Sequence, residues 1–446
     1  MGSWPARQHQ HAGAFAASFG RLLRVNALLD ELAWRGFLAH TTDRDALGGD
    51  MDAGPIRFYV GFDPTAPSIH MGNLMQLMLA RHFQAAGHKP VLLVGGSTGL
   101  VGDPRQVGER VLNEKEVVAA WVDRIRDQVT QFVDFDGPAG AIVVNNYDWT
   151  AGLSTLDFLR DIGKHFSVNR MLDREVVRSR LEDGISYTEF SYVLLQSLDY
   201  LELFRRYGCT LQTGGSDQWG NITAGVELIR RSEGARVHAL ATPLLTKADG
   251  TKFGKTESGT VWLDPALTSP YAFHQFFLNA EDAMVDAYLK VFSERSQDEI
   301  ADLARQTEQQ PHLRSAQRAL ADDVTDLVHG QAARQAAAAA AAAVFGRADL
   351  RDIPDSMLAQ VADELAAGRL TWVDGQLPLV VDALVAAKVV ASRSEARRAI
   401  QEGGASVNNE RVTSVEARLT AADLLAGRWC VVRRGKKTVG AIEVTN

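Results

Sequence analysis

Cysteine is scarce in this chain: Cys209 and Cys430 are the only two in 446 residues, far apart and outside any CxxC or CxxH spacing. That excludes a disulfide framework and a cysteine zinc site, and it fits a reducing compartment. The 11 histidines are scattered and show no HExxH pairing, so no resident metal is expected. No run of about 18 apolar residues is available to span a membrane, and the amino terminus lacks a basic segment leading into an apolar core. A cytoplasmic protein is expected. Excess positive charge is missing too, since the net charge is -8. Averages hide local fields, however. From Gln376 to Asn446 there are 11 Lys/Arg against 7 Asp/Glu, a balance of +4 that leaves -12 for the remainder. An acidic body with a basic tail suggests nucleic acid gripped by local patches.

What is present is an ample supply of core: 46% of residues are hydrophobic, enough for two to four domains at this length. Residues 1–20 mix His, Gln, Ala and Gly without periodicity and read as a disordered extension. Val25 to Gly36 is an amphipathic helix with a glycine stop. The stretch Ile56-Arg57-Phe58-Tyr59-Val60 is β-branched and aromatic, and it turns through Asp63-Pro64-Thr65 into helix formers from about His70. Helix N-termini offer unpaired amides and partial positive charge, so this turn can seat a polyphosphate, with Thr65 and His70 on its flanks. Taken alone, such a turn fits many α/β proteins that bind nothing.

The same alternation recurs. Lys89 to Val94 is an apolar run followed by Gly95-Gly96-Ser97-Thr98, and Ala141 to Val144 is another, which favours a parallel doubly wound sheet with ligands at the carboxyl ends of its strands. Trp149 to about Glu189 reads as a helical insertion with Phe158, Leu159, Ile162, Phe166, Val168 and Met171 as its apolar series. Ser191 to Tyr200 is an amphipathic helix that places Tyr192, Gln196 and Asp199 on one face at i, i+4 and i+7. Residues 245–260 form a Gly/Ser/Thr loop carrying Lys252 and Lys255, expected to be mobile and to close over anions. It is not a Walker A loop, because Asp249 stands where that motif needs glycine. Beyond it, 271–344 is helical and ends in an alanine run of high helix propensity.

The order of motifs resembles one family. His70-Met71-Gly72-Asn73 and Lys252-Phe253-Gly254-Lys255-Thr256 are similar to the HIGH and KMSKS signatures of class I aminoacyl-tRNA synthetases. With Tyr187-Thr188-Glu189-Phe190-Ser191-Tyr192 and Gly215-Ser216-Asp217-Gln218-Trp219-Gly220-Asn221, the chain resembles the bacterial tyrosyl-tRNA synthetases from about residue 25 to its end. The resemblance implies a Rossmann-like catalytic domain over 21–265, with an insertion at about 149–190 forming a homodimer interface. It further implies a helical anticodon-binding domain over 266–350, a linker with one short helix over 351–376, and a small α+β S4-like RNA-binding domain over 377–446.

It also implies roles. Thr65, His70, Lys252, Lys255 and Thr256 would hold the β- and γ-phosphates of ATP into the transition state, with Mg2+ accompanying the nucleotide. Asp63, Gly72, Asn73 and Asp217, with Lys255, would bind ATP. Tyr59 and Asp199 match the pair on the phenol of L-tyrosine, and Asp103, Tyr192, Gln196 and Gln218 match the contacts to its amino and carboxylate groups. Arg393, Arg397 and Arg398, on one face of a Ser-capped helix, would meet the tRNA(Tyr) backbone; taken alone they read as a solvated basic face. Asn73 stands where the common signature has a second His, and the loop 102–110 lacks the family's lysine while keeping Arg110. A tryptophan-specific sister enzyme is the rival within the class, and an RNA-binding protein that has lost catalysis is the rival outside it.

Overall fold

The structure, a computed structural model, describes residues 25–105, 108–110, 112–256, 259–346, 348–372, 376–435 and 438–445, with Val25, Asn26, Lys255 and Thr256 described by backbone alone. Residues 1–20, expected as a disordered extension, lie outside the described residues. The chain forms two compact units, one running to Asp264 and taking in Lys290–Glu294, the other comprising Pro265–Leu289 and the chain from Arg295 onward.

In the first unit, α1 (Val25–Trp34) ends just before Gly36, which takes φ 85, as the glycine stop anticipated. The sheet consists of β1 (His40–Thr41), β2 (Arg57–Phe62), β3 (Lys89–Val94), β4 (Ile142–Asn145), β5 (Cys209–Gly215) and β6 (His238–Thr242) in the order β1-β6-β5-β2-β3-β4. Five strands run parallel. The short edge strand β1 is antiparallel to β6, a feature the apolar-run pattern did not announce. Phe58, Tyr59 and Val60 in β2 and Val91 to Val94 in β3 are all nearly fully buried, as parallel strands covered on both faces must be. Connections leave β2 toward β3 on one side and reach β5 on the other, so the sheet has a switch point between β2 and β5 where ligands bind in open α/β folds.

Three helices position the site. The helix α2 (Met71–Ala85) follows β2, α3 (Tyr187–Tyr207) is twice the length the 191–200 pattern suggested, and α4 (Trp219–Glu233) follows β5. Ser186 caps α3 by accepting from the amide of Glu189, and Gly208 ends it at φ 64. The insertion before α3 is helical but broken into short turns, among them Tyr147–Thr150, Phe158–Ile162 and Val168–Leu172. Of its apolar series, Ile162 and Met171 are buried, whereas Leu159 and Val168 face outward. Residues of the lysine loop form a small ribbon, β7 (Lys255–Thr256) with β8 (Gly259–Thr260).

In the second unit, α5 (Ser315–His329) and α6 (Gln331–Val344) are joined by Gly330 at φ 82. The alanine run lies in α6, and Ala337, Ala340 and Ala343 are buried, so the small side chains let neighbouring elements approach closely. The stretch 351–376, expected as a linker with one short helix, holds α7 (Asp355–Glu364) and also β9 (Gly368–Thr371). That strand extends a five-stranded sheet with β10 (Ala405–Val407), β11 (Glu410–Arg411), β12 (Trp429–Arg434) and β13 (Thr438–Thr445), in the order β11-β10-β12-β13-β9. Met357, Leu358 and Val361 of α7 share a core with Trp429, Val431 and Ala441, so this stretch is structural and not a bare connector. Between β10 and β11, Asn408 and Asn409 take φ 46 and 69, the two left-handed residues of a tight hairpin. On the other face of the sheet, Val380, Leu384, Ala396, Ala399 and Ile400 pack against Cys430, Val432 and Ile442, which seats α8 (Arg393–Gln401).

Candidate active site

The carboxyl ends of β2 to β5 bring together Asp63, Thr98, Asn146 and the Gly214-Gly215 turn. Gly95 and Gly96 are required here: a side-chain carbon at Gly95 would collide with Asp63 and Thr98, and one at Gly96 with Asn145. The close approach lets Asp63 accept from Thr98 Oγ1 at 2.6 Å on one carboxylate oxygen and from the Tyr192 hydroxyl on the other. Burial pushes the Asp63 carboxyl up, against the pull of these two donors. Tyr192 and Asp63 were expected in different subsites; the structure joins them directly.

Two turns beyond Tyr192 on α3 lies Asp199, 2 % exposed. It accepts from Asn146 Nδ2 at 2.9 Å and from Trp149 Nε1 at 2.9 Å, and Asn146 Nδ2 also reaches Thr98 Oγ1 at 3.0 Å. Burial raises the Asp199 carboxyl to about 8 despite both donors. Tyr59 projects from β2 and its ring lies 5.3 Å from that of Tyr200. Burial, and then the Asp199 carboxylate, push its phenol well above the ordinary range. The Tyr59 hydroxyl is buried and makes no hydrogen bond among the described residues, and the same holds for Gln196 Oε1. Buried polar atoms are normally hydrogen-bonded, so these two are marked out as candidates for contact with a polar ligand.

Asp103 accepts from Gln218 Nε2 at 2.8 Å and Asn221 Nδ2 at 3.0 Å, and Gln218 Oε1 accepts from Asn221 at 2.9 Å. Its carboxyl is raised by burial, with these donors and Arg174 opposing. Asp103, Gln218 and Asn221 thus form one cluster between the loop after β3 and the start of α4. Asp217 is exposed in the turn before α4.

At the start of α2, His70 is the N-cap. Its Nδ1 accepts from the Gly72 amide at 3.1 Å, while its own amide donates to Asn73 Oδ1 at 3.0 Å. Two amides expected to face a phosphate are therefore already capped by side chains. In exchange, an accepting Nδ1 leaves the ring proton of the neutral imidazole on Nε2, the outward nitrogen, which makes His70 a donor. The lysine loop is fastened to this corner. Just after the loop, Leu263 donates to the Ile69 carbonyl at 3.0 Å and Trp262 bridges to His70, and within the loop Phe253 donates to Leu245 O at 2.9 Å. Lys252 is exposed on this loop and pairs through its backbone with Thr246. Thr65 is exposed on the rim of a cavity of about 230 Å³ that Arg105, Arg110 and Trp121 also line.

In the second unit, Arg393, Arg397 and Arg398 are all exposed on α8, while Ala396, Ala399 and Ile400 face the core. Arg393 pairs with Asp382 at 2.9 Å, and Arg398 lies 4.0 Å from Glu402. No group of three or more His, Cys, Asp or Glu able to hold a metal occurs among the described residues.

The sequence reading missed Thr98, Asn146, Trp149 and Asn221. Only Asn221 lay inside a recognised motif. Asn146 and Trp149 follow the run Ala141 to Val144, where polar residues at a parallel strand's carboxyl end are the available signal.

A family model described as tRNA synthetases class I (W and Y) matches residues 51–346, and one described as Tyrosine--tRNA ligase SYY-like C-terminal domain matches residues 362–441. The chain is 63% identical to the tyrosine--tRNA ligase of Cutibacterium acnes over 94% of this chain and 100% of that protein. It is 59% identical to the tyrosine--tRNA ligase of Kineococcus radiotolerans over 94% and 99%, respectively. Among solved structures, a C-terminally truncated mitochondrial tyrosyl-tRNA synthetase of Aspergillus nidulans matches with a TM-score of 0.64 at 30% identity, covering 73% of this chain and 96% of that one.

Proposed function

The chain belongs to the class I tRNA synthetases of the tryptophan and tyrosine group and ligates tyrosine to tRNA at the expense of ATP, and from that premise we propose how its residues divide the work. The tyrosine carboxylate attacks the α-phosphorus of ATP and pyrophosphate leaves, giving tyrosyl-adenylate. A ribose hydroxyl of tRNA(Tyr) then attacks the carbonyl carbon and AMP departs. No protein nucleophile is needed, so rate comes from positioning and from stabilising charge on the phosphates.

The observation that carries the reading is the unpartnered, buried Tyr59 hydroxyl within the electrostatic reach of Asp199, whose carboxyl Asn146 and Trp149 hold in place. A substrate phenol would complete both groups, whereas phenylalanine would leave them unpaired, a rule for which tyrosine-activating enzymes are the usual illustration. Asp103, Tyr192, Gln196 and Gln218 receive the amino and carboxylate groups of tyrosine. Asp63, Gly72, Asn73 and Asp217 seat the nucleoside. Thr65 and His70, with Lys252, Lys255 and Thr256, hold the phosphates, and Mg2+ enters with ATP. An indole would find no use for the phenol-directed pair, which disfavours tryptophan.

Arg393, Arg397 and Arg398 contact the tRNA backbone from an S4-like domain, and the helical block before it reads the anticodon. Two chains form a homodimer through the insertion, which exposes Leu156, Val168 and Tyr187 by 79%, 60% and 69%. No helix among the described residues is long and apolar enough to cross a membrane; the protein works in the cytoplasm. The test is charging of tRNA by labelled amino acids: attachment of tyrosine alone is expected, and attachment of tryptophan would overturn the assignment.

A further inference from the structure

Arg180 and Glu189 form an ion pair at 3.2 Å, with side chains 4% and 2% exposed. Neither residue lines the proposed tyrosine or ATP sites. Three further hydrogen bonds of the pair reach Arg105, Gly108 and Arg110 in the loop after β3. Arg180 Nη1 donates to the carbonyls of Arg105 at 3.0 Å and Gly108 at 2.7 Å, and Nη2 donates to Gly184 O at 3.0 Å. Glu189 Oε1 accepts from the Arg110 amide at 2.7 Å. Among the described residues, this loop makes no backbone-to-backbone hydrogen bond after Gly102.

The loop is closed back on itself by Arg110. Its Nε donates to the Asp103 carbonyl at 2.6 Å, and its side chain covers Gly102, where an added carbon would lie 2.6 Å from Arg110 Cδ. Gly102 has φ 80, so the position tolerates little but glycine. Asp103 at the loop's start faces the Gln218 and Asn221 cluster, while Arg105 and Arg110 line the cavity that Thr65 shares. The backbone at Arg105, Gly108 and Arg110 is thus held from outside the loop by this buried pair, beside the loop's own Arg110–Asp103 bond. A buried ion pair adds little net stability compared with an apolar replacement, so its placement here is better accounted for by the geometry it fixes.

We infer that Arg180 and Glu189 are positioning residues for the activation step: the pair clasps the Gly102–Arg110 loop from beneath and fixes Arg105 and Arg110 beside the departing pyrophosphate. This rests on the ligase reading above. Tyrosine binding in the ground state should depend less on the clasp, because the Asp103 side chain has its own partners in α4 and the turn before it.

The test uses the full chain with two variants. Arg180→Lys keeps the charge but loses the planar guanidinium, whose Nη1 meets the two loop carbonyls and Glu189 while Nη2 meets the Gly184 carbonyl. Glu189→Gln keeps an acceptor for the Arg110 amide and loses the ion pair. In tyrosine-dependent pyrophosphate exchange, normalised to titrated active sites, Arg180→Lys should lower kcat about 10- to 100-fold. Its equilibrium Kd for tyrosine should stay within about threefold of wild type. Glu189→Gln should show a smaller loss with the same split. Should Arg180→Lys fail to fold, Glu189→Gln decides by the same readout. Variants with lowered melting temperature but wild-type turnover per active site would overturn the inference and leave the pair a purely structural one. Wild-type protein without tyrosine-dependent exchange would instead sink the ligase reading itself.

Discussion

Gly254 of the lysine loop lies against Met71, the first residue of α2: a side-chain carbon at Gly254 would stand 2.8 Å from Met71 Cβ. Gly254 is also buried and holds φ 86. The loop that carries Lys252 and Lys255 is therefore seated on the turn that carries His70 through a contact open only to glycine.

Gly254→Ala should accordingly displace the loop without touching the tyrosine pocket. Strain at a left-handed residue and the clash with Met71 act together. We expect kcat for tyrosine activation to fall by about two orders of magnitude, with the Kd for tyrosine unchanged. Single-turnover kinetics beside equilibrium binding would separate the two quantities.

Tyr59→Phe removes a buried hydroxyl that has no hydrogen-bond partner among the described residues. Stability should hold or rise by up to about 1 kcal/mol, because an unsatisfied group is deleted. Discrimination between tyrosine and phenylalanine should weaken at the same time. Chemical denaturation and the ratio of kcat/KM values for the two amino acids check the paired outcome; loss of stability would mean that the hydroxyl has a partner in solution.

Acid and base should act on Asp199 in a particular direction. Its carboxyl moves from 3.8 to about 8 on folding, so the folded chain retains a proton that the unfolded chain releases. The contribution is fully present below 3.8 and is lost as pH rises toward about 8. Asp63 and Asp103, also raised by burial, add in the same sense. The Asp199→Asn variant lacks the Asp199 part, so the stability of wild type relative to the variant should decline across this window. A flat difference in melting temperature from about pH 5 to pH 8 would contradict it.

Much of this was legible because several local patterns carry it. The β2 strand, the turn into α2, the lysine loop and the spacing of Tyr192, Gln196 and Asp199 all appear in contiguous sequence, and α3 does place those three side chains together. Asn146 and Trp149 were invisible for the opposite reason: they matter only because parallel pairing brings the end of β4 beside α3. The capping of the α2 amides by His70 and Asn73 was also hidden, since the same residues suit a phosphate contact and a cap. In the tail, β9 was read as linker because Gly368–Thr371 is short and half polar, and its pairing with β13 is a long-range choice that local propensity does not reveal.

Removing the positive charge of α8 should separate the two halves of the reaction. With Arg397→Ala and Arg398→Ala together, tyrosine activation should be unaltered while the KM for tRNA rises about three- to tenfold. The salt dependence of tRNA binding should become shallower by roughly one counterion per lost phosphate contact. A matching decline in activation would show that the arginines act on the fold and not on the RNA.

The central claim is that Tyr59 and Asp199 select a phenol for activation by ATP. Exchange of labelled pyrophosphate into ATP, measured with tyrosine, phenylalanine and tryptophan on the native chain and on Asp199→Ala, tests it most directly. Exchange with tyrosine alone, weakened in the variant, is the predicted result. Exchange with tryptophan, or with none of the three in folded protein that still binds tRNA, would contradict it.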